Sequence, residues 1–522
     1  MLNFNKINKM RTKIYLIIVA AATICMSSCS DLLELNPQDK MSEATFWKTE
    51  KDFGNALTAC YGRLQSSYFS YGFPFWDNIT DNGYGQHNYG SSTDIAQGNI
   101  SPTTGGLVSS VYNNGYLSIA RINIFLQNLK NFTGMTEAAK KQSEAEARML
   151  RAFFYSYLYR CYGDVPLVDE PLTLENQYQA KKPAADILKF MMDDIDFAIA
   201  NLKDETYISS KGRWTVNAAK AYKARMLLYD AYDSNGNAIV AQMTAVKTLL
   251  TTITGYTLAA DFSDNFMASK QETCPEILFS VKFLAPNNIT GADQWYGDWI
   301  VVSPTANLIN EYEMADGTPA TPVPYNDKGT IDPSIFNNAS LALREPRAAK
   351  TVFIDKFFSG GTEHTPDNNR PLGTGLSKFL APDLTDALFG YDWQSEQDWV
   401  VLRYADVLLM LAEAENEING PTDIAYKAVN DVRDRGKASL LPAGLTKDQM
   451  RERIRHERRI ELAFEGQRYF DLKRWKIAKQ VLNNVQDGLI TYKFEDKHYL
   501  WPLPNAEIEK SKGILEQNPD YK

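Results

Sequence analysis

Two long blocks of helical periodicity, a turn-rich stretch between them and very few strand-like runs predict a mostly α-helical fold. The blocks span roughly residues 51–253 and 403–479, a loop-rich insertion fills 254–402, and a tail of mostly loop occupies 480–522. Within the blocks, paired helices carry repeated small and large residues. That pattern is tetratricopeptide-like, although the Trp, Gly, Tyr and Pro positions of a standard repeat are not cleanly present. The expected architecture is a tetratricopeptide-like helical repeat scaffold with a long insertion and a few short strands, forming one domain over residues 46–522 rather than two separable ones. At 522 residues and 44% hydrophobic composition, the chain can bury a large core.

The N-terminus reads as an address. Lys6, Lys9, Arg11 and Lys13 precede the apolar run Ile14 to Met26, which is too short to span a bilayer comfortably and is followed by small residues. Residues 1–28 are therefore expected to be a signal peptide. Met26-Ser27-Ser28-Cys29 resembles a bacterial lipobox, in which Cys29 becomes the lipidated first residue and 29–45 a tether. Three acyl chains on such a cysteine would anchor stably where one would not. Loss of residues 1–28, with four cations and no acids, takes the formal net charge from −9 to −13, which makes nucleic acid an unsuitable partner. Cys60, Cys161 and Cys274 would then remain, an odd and widely spaced set that makes neither a disulfide framework nor a zinc site.

The helices follow in order. Glu144 to Pro166 reads as a long amphipathic helix stopped by Gly163 and Pro166. Thr215 to Tyr232 starts at a Thr or Asn cap and offers Ala218, Ala221, Ala224 and Ala231 for close packing. Glu276 to Leu284 reads as a strand. Val400 to Ile418 and Tyr426 to Gly436 read as antiparallel helices. Glu457 to Trp475 mixes full charges and large apolar groups too densely for a solvated face, so a buried, ion-paired helix is expected. On it, Arg453 would serve Glu457 and Arg458 would serve Glu461, beside a stripe of Ile460 and Phe464.

Five segments carry a family resemblance: Glu457 to Trp475, Arg151 to Leu167, Leu402 to Glu417, Asn430 to Gly436, and Leu500 to Tyr521. Their order, together with the lipobox, resembles the SusD/RagB-like glycan-binding lipoproteins of the starch-utilisation type. The resemblance implies a helical repeat scaffold with a variable binding face. It also implies a SusC-like TonB-dependent transporter barrel as partner, over which the lipoprotein sits as a hinged lid at the outer membrane and hands on captured substrate. Asp31 and Glu34 resemble the acidic signal that sends such lipoproteins to the cell surface. The matching residues are structural, so the ligand must be read elsewhere.

From Tyr68 to Tyr89 there are eight aromatics in 22 residues, against a chain average of 12%, interleaved with Asn, Asp, Gln and Gly. A second cluster, Asn287 to Trp299, repeats the mixture. Sugars need it, because the apolar face of a pyranose lies on an aromatic ring while its hydroxyls require fixed planar donors and acceptors. The two clusters are expected to converge on one shallow surface, with Trp76, Asn78, Asp81, Tyr84, Trp295, Tyr296 and Trp299 as contacts to a glycan. Some of these rings could instead pack beneath their own loops.

Other chemistry is poorly supported. The four His show no metal-ligand spacing, and His456 reads as structural. No GxSxG elbow or phosphate-binding glycine loop is present. Asp233 to Asn237 reads as a turn rather than a calcium loop, and Asp193 with Asp194, or Glu413 with Glu415, would point apart on a helix rather than face across a cleft. No cofactor and no metal are expected. The leading expectation is a non-catalytic, surface-exposed glycan-binding outer-membrane lipoprotein. The alternatives are a peptide binder of the same architecture, a surface glycoside hydrolase, or a transporter lid with little affinity of its own.

Overall fold

Several helices start at threonine caps written into the chain. In the computed structural model, which describes residues 46–326, 329–366, 372–383, 395–485 and 489–522, Thr49 opens α1 (Glu50–Tyr61) with a reciprocal cap to Asp52. After α2 (Gly106–Asn131), Thr136 caps Ala139 N to begin α3 (Glu137–Tyr162), which ends where Gly163 turns to φ 72°. α4 (Ala184–Asn201) leads to α5 (Val216–Tyr229), capped by Thr215, and to α6 (Val240–Leu250). The second block holds α7 (Tyr404–Asn419), α8 (Asp423–Arg435), α9 (Lys447–Glu461) and α10 (Arg468–Arg474), with Thr422 and Thr446 capping α8 and α9. Cys29, the signal segment and the tether lie outside the described residues. Among the described residues, no helix is long and apolar enough to cross a membrane.

Each helix packs on the next: α2 on α3, α3 on α4, α4 on α5, α5 on α6 and α7 on α8. α6 also packs directly on α7, although about 150 residues separate them in sequence. The repeat stack therefore continues across the insertion as though it were not there. Small residues let the helices close, with Ala218, Ala221 and Ala224 of α5 fully buried.

The strands are short and pair in twos. β1 (Gly83–Gly85) pairs with β3 (Val302–Pro304), β2 (Ile277–Val281) with β8 (Trp399–Arg403), β4 (Val352–Ile354) with β7 (Thr374–Leu376), and β5 (Phe357–Ser359) with β6 (Thr362–His364), all antiparallel. Val400–Arg403 therefore belongs to a strand, not to the helix expected from Val400. Its β-branched and aromatic run is buried on both sides against β2. Cys60, Cys161 and Cys274 are free and buried, and Asp233 closes a turn by accepting from Asn235 N at 2.8 Å and Asn237 N at 2.9 Å.

The charged segment is buried, but not as one helix and not with the expected partners. α9 stops at Glu461; Phe464 and Gly466 take φ of 64° and 72° before α10 begins. Arg453 pairs with Glu313 at 2.7 Å, and Arg458 with Asp406 at 2.8 Å and Asp471 at 3.0 Å. Glu457 and Glu461 take their cations from elsewhere. Arg347 of the insertion reaches both, at 2.5 and 2.7 Å, and Arg433 of α8 reaches Glu457 at 2.8 Å. Glu461 also receives Arg403 and Arg435. Arg403 continues to Glu276 at 2.9 Å and to Glu465 at 2.7 Å. Local i,i+4 pairing lost because these side chains point inward, where guanidinium groups from other elements supply more hydrogen bonds to each carboxylate.

The network sets its own ionisation. Burial would raise the Glu461 carboxyl, but Arg435, Arg403 and Arg347 outweigh it and hold the group well below the ordinary range. Against the same burial, Arg225 and Arg458 hold Asp406 at about 2, and Arg474 holds Glu413 at about 2. Depressed carboxylates contribute stability that is complete above their unfolded values and disappears as pH falls through the folded ones, on the order of 2 kcal/mol for each such group. The full contribution of these groups should therefore be present above pH 5, where the urea midpoint should depend little on pH through them, and the midpoint should fall steeply from about pH 4 toward 2. Glu413→Gln should be less stable at pH 7 yet flatter in that acid limb. A variant limb parallel to the parent's would refute this assignment.

Candidate functional site

The two aromatic segments are tied together by a ladder that only glycine permits. In β1 and β3, Gly83 faces Pro304, Tyr84 faces Ser303 and Gly85 faces Val302. A Cβ on Gly85 would lie 2.0 Å from Ser92 Oγ, and one on Gly83 would lie 2.9 Å from Asn78 Oδ1. The ladder delivers the chain into the loop Gln86–Ser91, where His87, Asn88 and Ser91 have φ of 55°, 53° and 56°. Left-handed backbone at three non-glycine residues is strained and persists only when the surroundings enforce it. Asn88 does so: its Oδ1 accepts from Thr93 N at 3.0 Å and Asp94 N at 3.2 Å, and its amide donates to Asp94 at 2.7 Å. The loop leaves Tyr89 39% exposed.

On the other side of the ladder, Asp293–Asp298 forms a π-helical turn, a geometry that recurs at functional sites. Asp293 roots it in the insertion by accepting from Ala381 N at 2.8 Å and from the hydroxyls of Ser359 and Ser395. Trp299 N donates to Gln294 O at 2.8 Å and Val301 N to Trp295 O at 3.0 Å. Ile300, a β-branched residue at φ 47°, then turns the chain so that it is buried while Trp299 stays 37% exposed.

These two devices bring three rings together. Tyr89 and Trp295 have centroids 5.7 Å apart, Trp295 and Trp299 6.1 Å, and Phe75 meets Trp295 edge-on at 6.2 Å. Tyr89, half-buried Trp295 and Trp299 form an aromatic platform, with exposed His87 and Asn88 beside it.

Four of the seven expected contacts are not on that surface. Trp76 is fully buried, lies parallel to Trp501 at 5.5 Å and donates Nε1–H to Tyr68 O at 3.1 Å. Asn78 is buried and donates to Val301 O at 3.3 Å. Asp81 is buried between Arg459 at 2.9 Å and Arg468 at 2.8 Å, which overcome burial and hold its carboxyl at about 2. Tyr296 is buried and its hydroxyl donates to the Tyr71 carbonyl. Trp295 and Trp299 do reach the platform, and Tyr84 is half-buried in the ladder. Sequence reasoning missed the role of Tyr89; its signal was the turn chemistry of the flanking His87-Asn88 and Gly90, which marks a display loop rather than a core segment.

The buried part of the aromatic segment has a structural duty. Asp77 accepts from Phe464 N at 3.1 Å, Gly466 N at 3.3 Å and Asn82 Nδ2 at 2.8 Å, clamping the left-handed turn between α9 and α10. Burial nonetheless pushes its carboxyl up to about 7. Other polar groups are also committed to structure. Asp194 pairs with Arg151 at 2.8 Å while Asp193 faces solvent with Lys189. Glu413 pairs with Arg474, and Glu415 with Lys247. Half-buried His456 donates Nε2–H to Glu311 O at 2.8 Å. Among the described residues, no group of three His, Cys, Asp or Glu is placed to hold a metal ion.

Comparison with known proteins agrees with this architecture. Residues 279–521 match the model of the SusD family, and residues 31–228 match a SusD-like model described as starch-binding and associating with the outer membrane. The chain belongs to the SusD family. A SusD-like protein of Formosa agariphila is 26% identical over 97% of this chain and 98% of its own. Two SusD-family crystal structures from Bacteroides fragilis superpose with TM-scores of 0.76. One is of a SusD-like protein, at 26% identity over 93% of this chain and all of that one. The other is of a SusD-like carbohydrate-binding protein, at 27% over 92% of this chain and all of that one.

The buried and displayed aromatics should separate by stability. Trp76→Ala removes a ring stacked in the core and should cost about 3–5 kcal/mol in chemical denaturation, whereas Trp299→Ala should change stability by less than about 0.5 kcal/mol. Equal losses would refute the division.

Proposed function

We propose that this SusD-family protein is a non-catalytic, lipid-anchored protein of the outer-membrane surface that captures a glycan on the Tyr89, Trp295 and Trp299 platform and delivers it to a SusC-like TonB-dependent transporter barrel. The observation that carries the reading is the platform itself: three neighbouring rings held by strained but well-anchored backbone at the surface. Pyranose faces stack on such rings, and the hydroxyls at the sugar's edge would meet the exposed His87 and Asn88 side chains. The matching family model described as starch-binding, and the Bacteroides fragilis relative described as a carbohydrate-binding protein, support the same ligand class.

Capture on this platform needs no covalent step. The carboxylates considered for acid–base work are occupied in ion pairs, which favours binding over hydrolysis. A shallow site gains limited contact and pays the ordering of its ligand, so isolated affinity is modest and release to a deeper partner is easy.

Calorimetric titration of soluble Ser30–Lys522 against plant, host and microbial glycans and peptides, with each mixture checked for cleavage, tests the reading. Binding to one polysaccharide class without products is expected, with Trp295→Ala and Trp299→Ala each weakening it about tenfold or more, equivalent to about 1.4 kcal/mol. Unchanged affinity in both variants would remove the platform. Products would indicate an enzyme, a peptide ligand would replace the sugar, and silence across the panel would indicate a lid that works only with its barrel. Cys29→Ser should abolish incorporation of labelled palmitate and release the protein from the outer-membrane fraction; unchanged partition would refute the lipid anchor.

A further inference from the structure

A cleft of ≈ 600 Å³ lies away from the aromatic platform, between the middle of α2, the loop after Val168 and the short C-terminal helix Asn505–Lys510. Its volume falls within the range of small-ligand sites, about 300–1,000 Å³. Tyr112 and Tyr116, one turn apart on α2, have ring centroids 4.8 Å apart, and the Tyr116 hydroxyl fixes its ring by donating to Pro166 O at 2.7 Å. Opposite them are Gln177, Tyr178 and Gln179. Gln177 and Gln179 donate to Leu174 O at 3.0 Å and Asn176 O at 2.7 Å, which fixes the orientation of both amides. Lys512 lies 4.7 Å over the Tyr178 ring. The cleft thus combines rings and oriented amides, as the platform does.

We infer that this cleft is a second contact site for the same glycan chain, selective for neutral oligosaccharide; the inference rests on the glycan-binding reading of the platform. Neutrality follows from the lining, whose two charged side chains, the Lys510 ammonium and the Glu507 carboxylate, are paired at 2.8 Å and cancel, while the neighbouring Lys512 ammonium is held over the Tyr178 ring. An apolar ligand has a better home next door. The groove between α1 and α2, which shares Leu117 and Ala120 with the cleft, is walled by Phe46, Trp47, Ala56 and Phe125 and carries little polar surface.

α2 connects the two sites. It starts under the display loop, where a Cβ on Gly106 would lie 2.0 Å from the Gly90 carbonyl carbon. Tyr112 and Tyr116 follow about 9 and 15 Å further along its axis. A long glycan held at the platform therefore meets the cleft at high effective concentration, and affinity rises with chain length beyond what the platform alone provides.

The test uses soluble Ser30–Lys522 and neutral glycans of the glucan, mannan, xylan and galactan classes, followed by a graded oligosaccharide series of whichever class binds. Asn113→Ala, Tyr178→Ala and the space-filling Ala120→Trp change cleft-lining residues, two of them exposed on α2, and should leave the fold intact by circular dichroism. Calorimetry should show each of them weakening the longest oligosaccharides about tenfold or more, while affinity for the shortest stays within about twofold. Trp299→Ala should weaken both. Cleft variants that bind every length as the parent does, while Trp299→Ala still fails, would overturn the second site and leave the platform standing. If no neutral glycan binds the parent chain, the second site falls, and the platform reading falls with it when acidic glycans also fail to bind.

Discussion

Glu461 is the junction on which the rest of the molecule depends. Its carboxylate is inaccessible to water and meets guanidinium groups from three separate parts of the chain: Arg347 in the insertion, Arg403 at the end of β8 and Arg435 at the end of α8. An isolated buried charge costs several kcal/mol, so no one of these elements can dock unless the others are present. Through Glu457, Glu465 and Glu276 the same network reaches Arg433, Lys378 and the approach to β2. The helical stack and the insertion are thereby made one cooperative body.

That coupling explains how a mostly loop-built surface can hold a defined shape. The platform's rings sit on a π-helical turn, a left-handed loop and a three-residue ladder, none of which is stable in isolation. Asp293 ties the turn to the insertion, and Asp81 ties the aromatic segment to Arg459 and Arg468 on either side of the α9–α10 break. Below the platform, Trp76, Phe470, Tyr469 and Trp501 fill the space between the first aromatic segment, α10 and the C-terminal tail. The stretches that carry the family resemblance therefore build the floor, and the exposed rings stand on top of it.

The proposed recognition surface would suit capture and transfer. Rings at the surface offer stacking without enclosure, so a polymer can be engaged anywhere along its length and need not thread into a pocket. On that proposal, affinity would come from repeated weak contacts along one chain rather than from burial of a single sugar.

Much was legible in the order of residues. Thr caps, the Gly163 stop and the alanine ridge of α5 act within a few residues, so local chemistry decided those helices. The dense charge of residues 457–475 likewise announced burial, since no solvated helix needs it. Partner choice was not legible: Arg347 and Glu461 are more than 100 residues apart, and i,i+4 neighbours that look paired on paper face other elements in space. The same limit divided the aromatics. Composition marked residues 68–89 and 287–299 as exceptional, and it could not say that Trp76 would find Trp501 while Trp295 would find Tyr89. Local sequence determined the helices, the turns and the chemical inventory of the surface, because capping and backbone sterics are short-range. Tertiary packing alone decided which rings face solvent, because that depends on the area each ring can bury against segments hundreds of residues away.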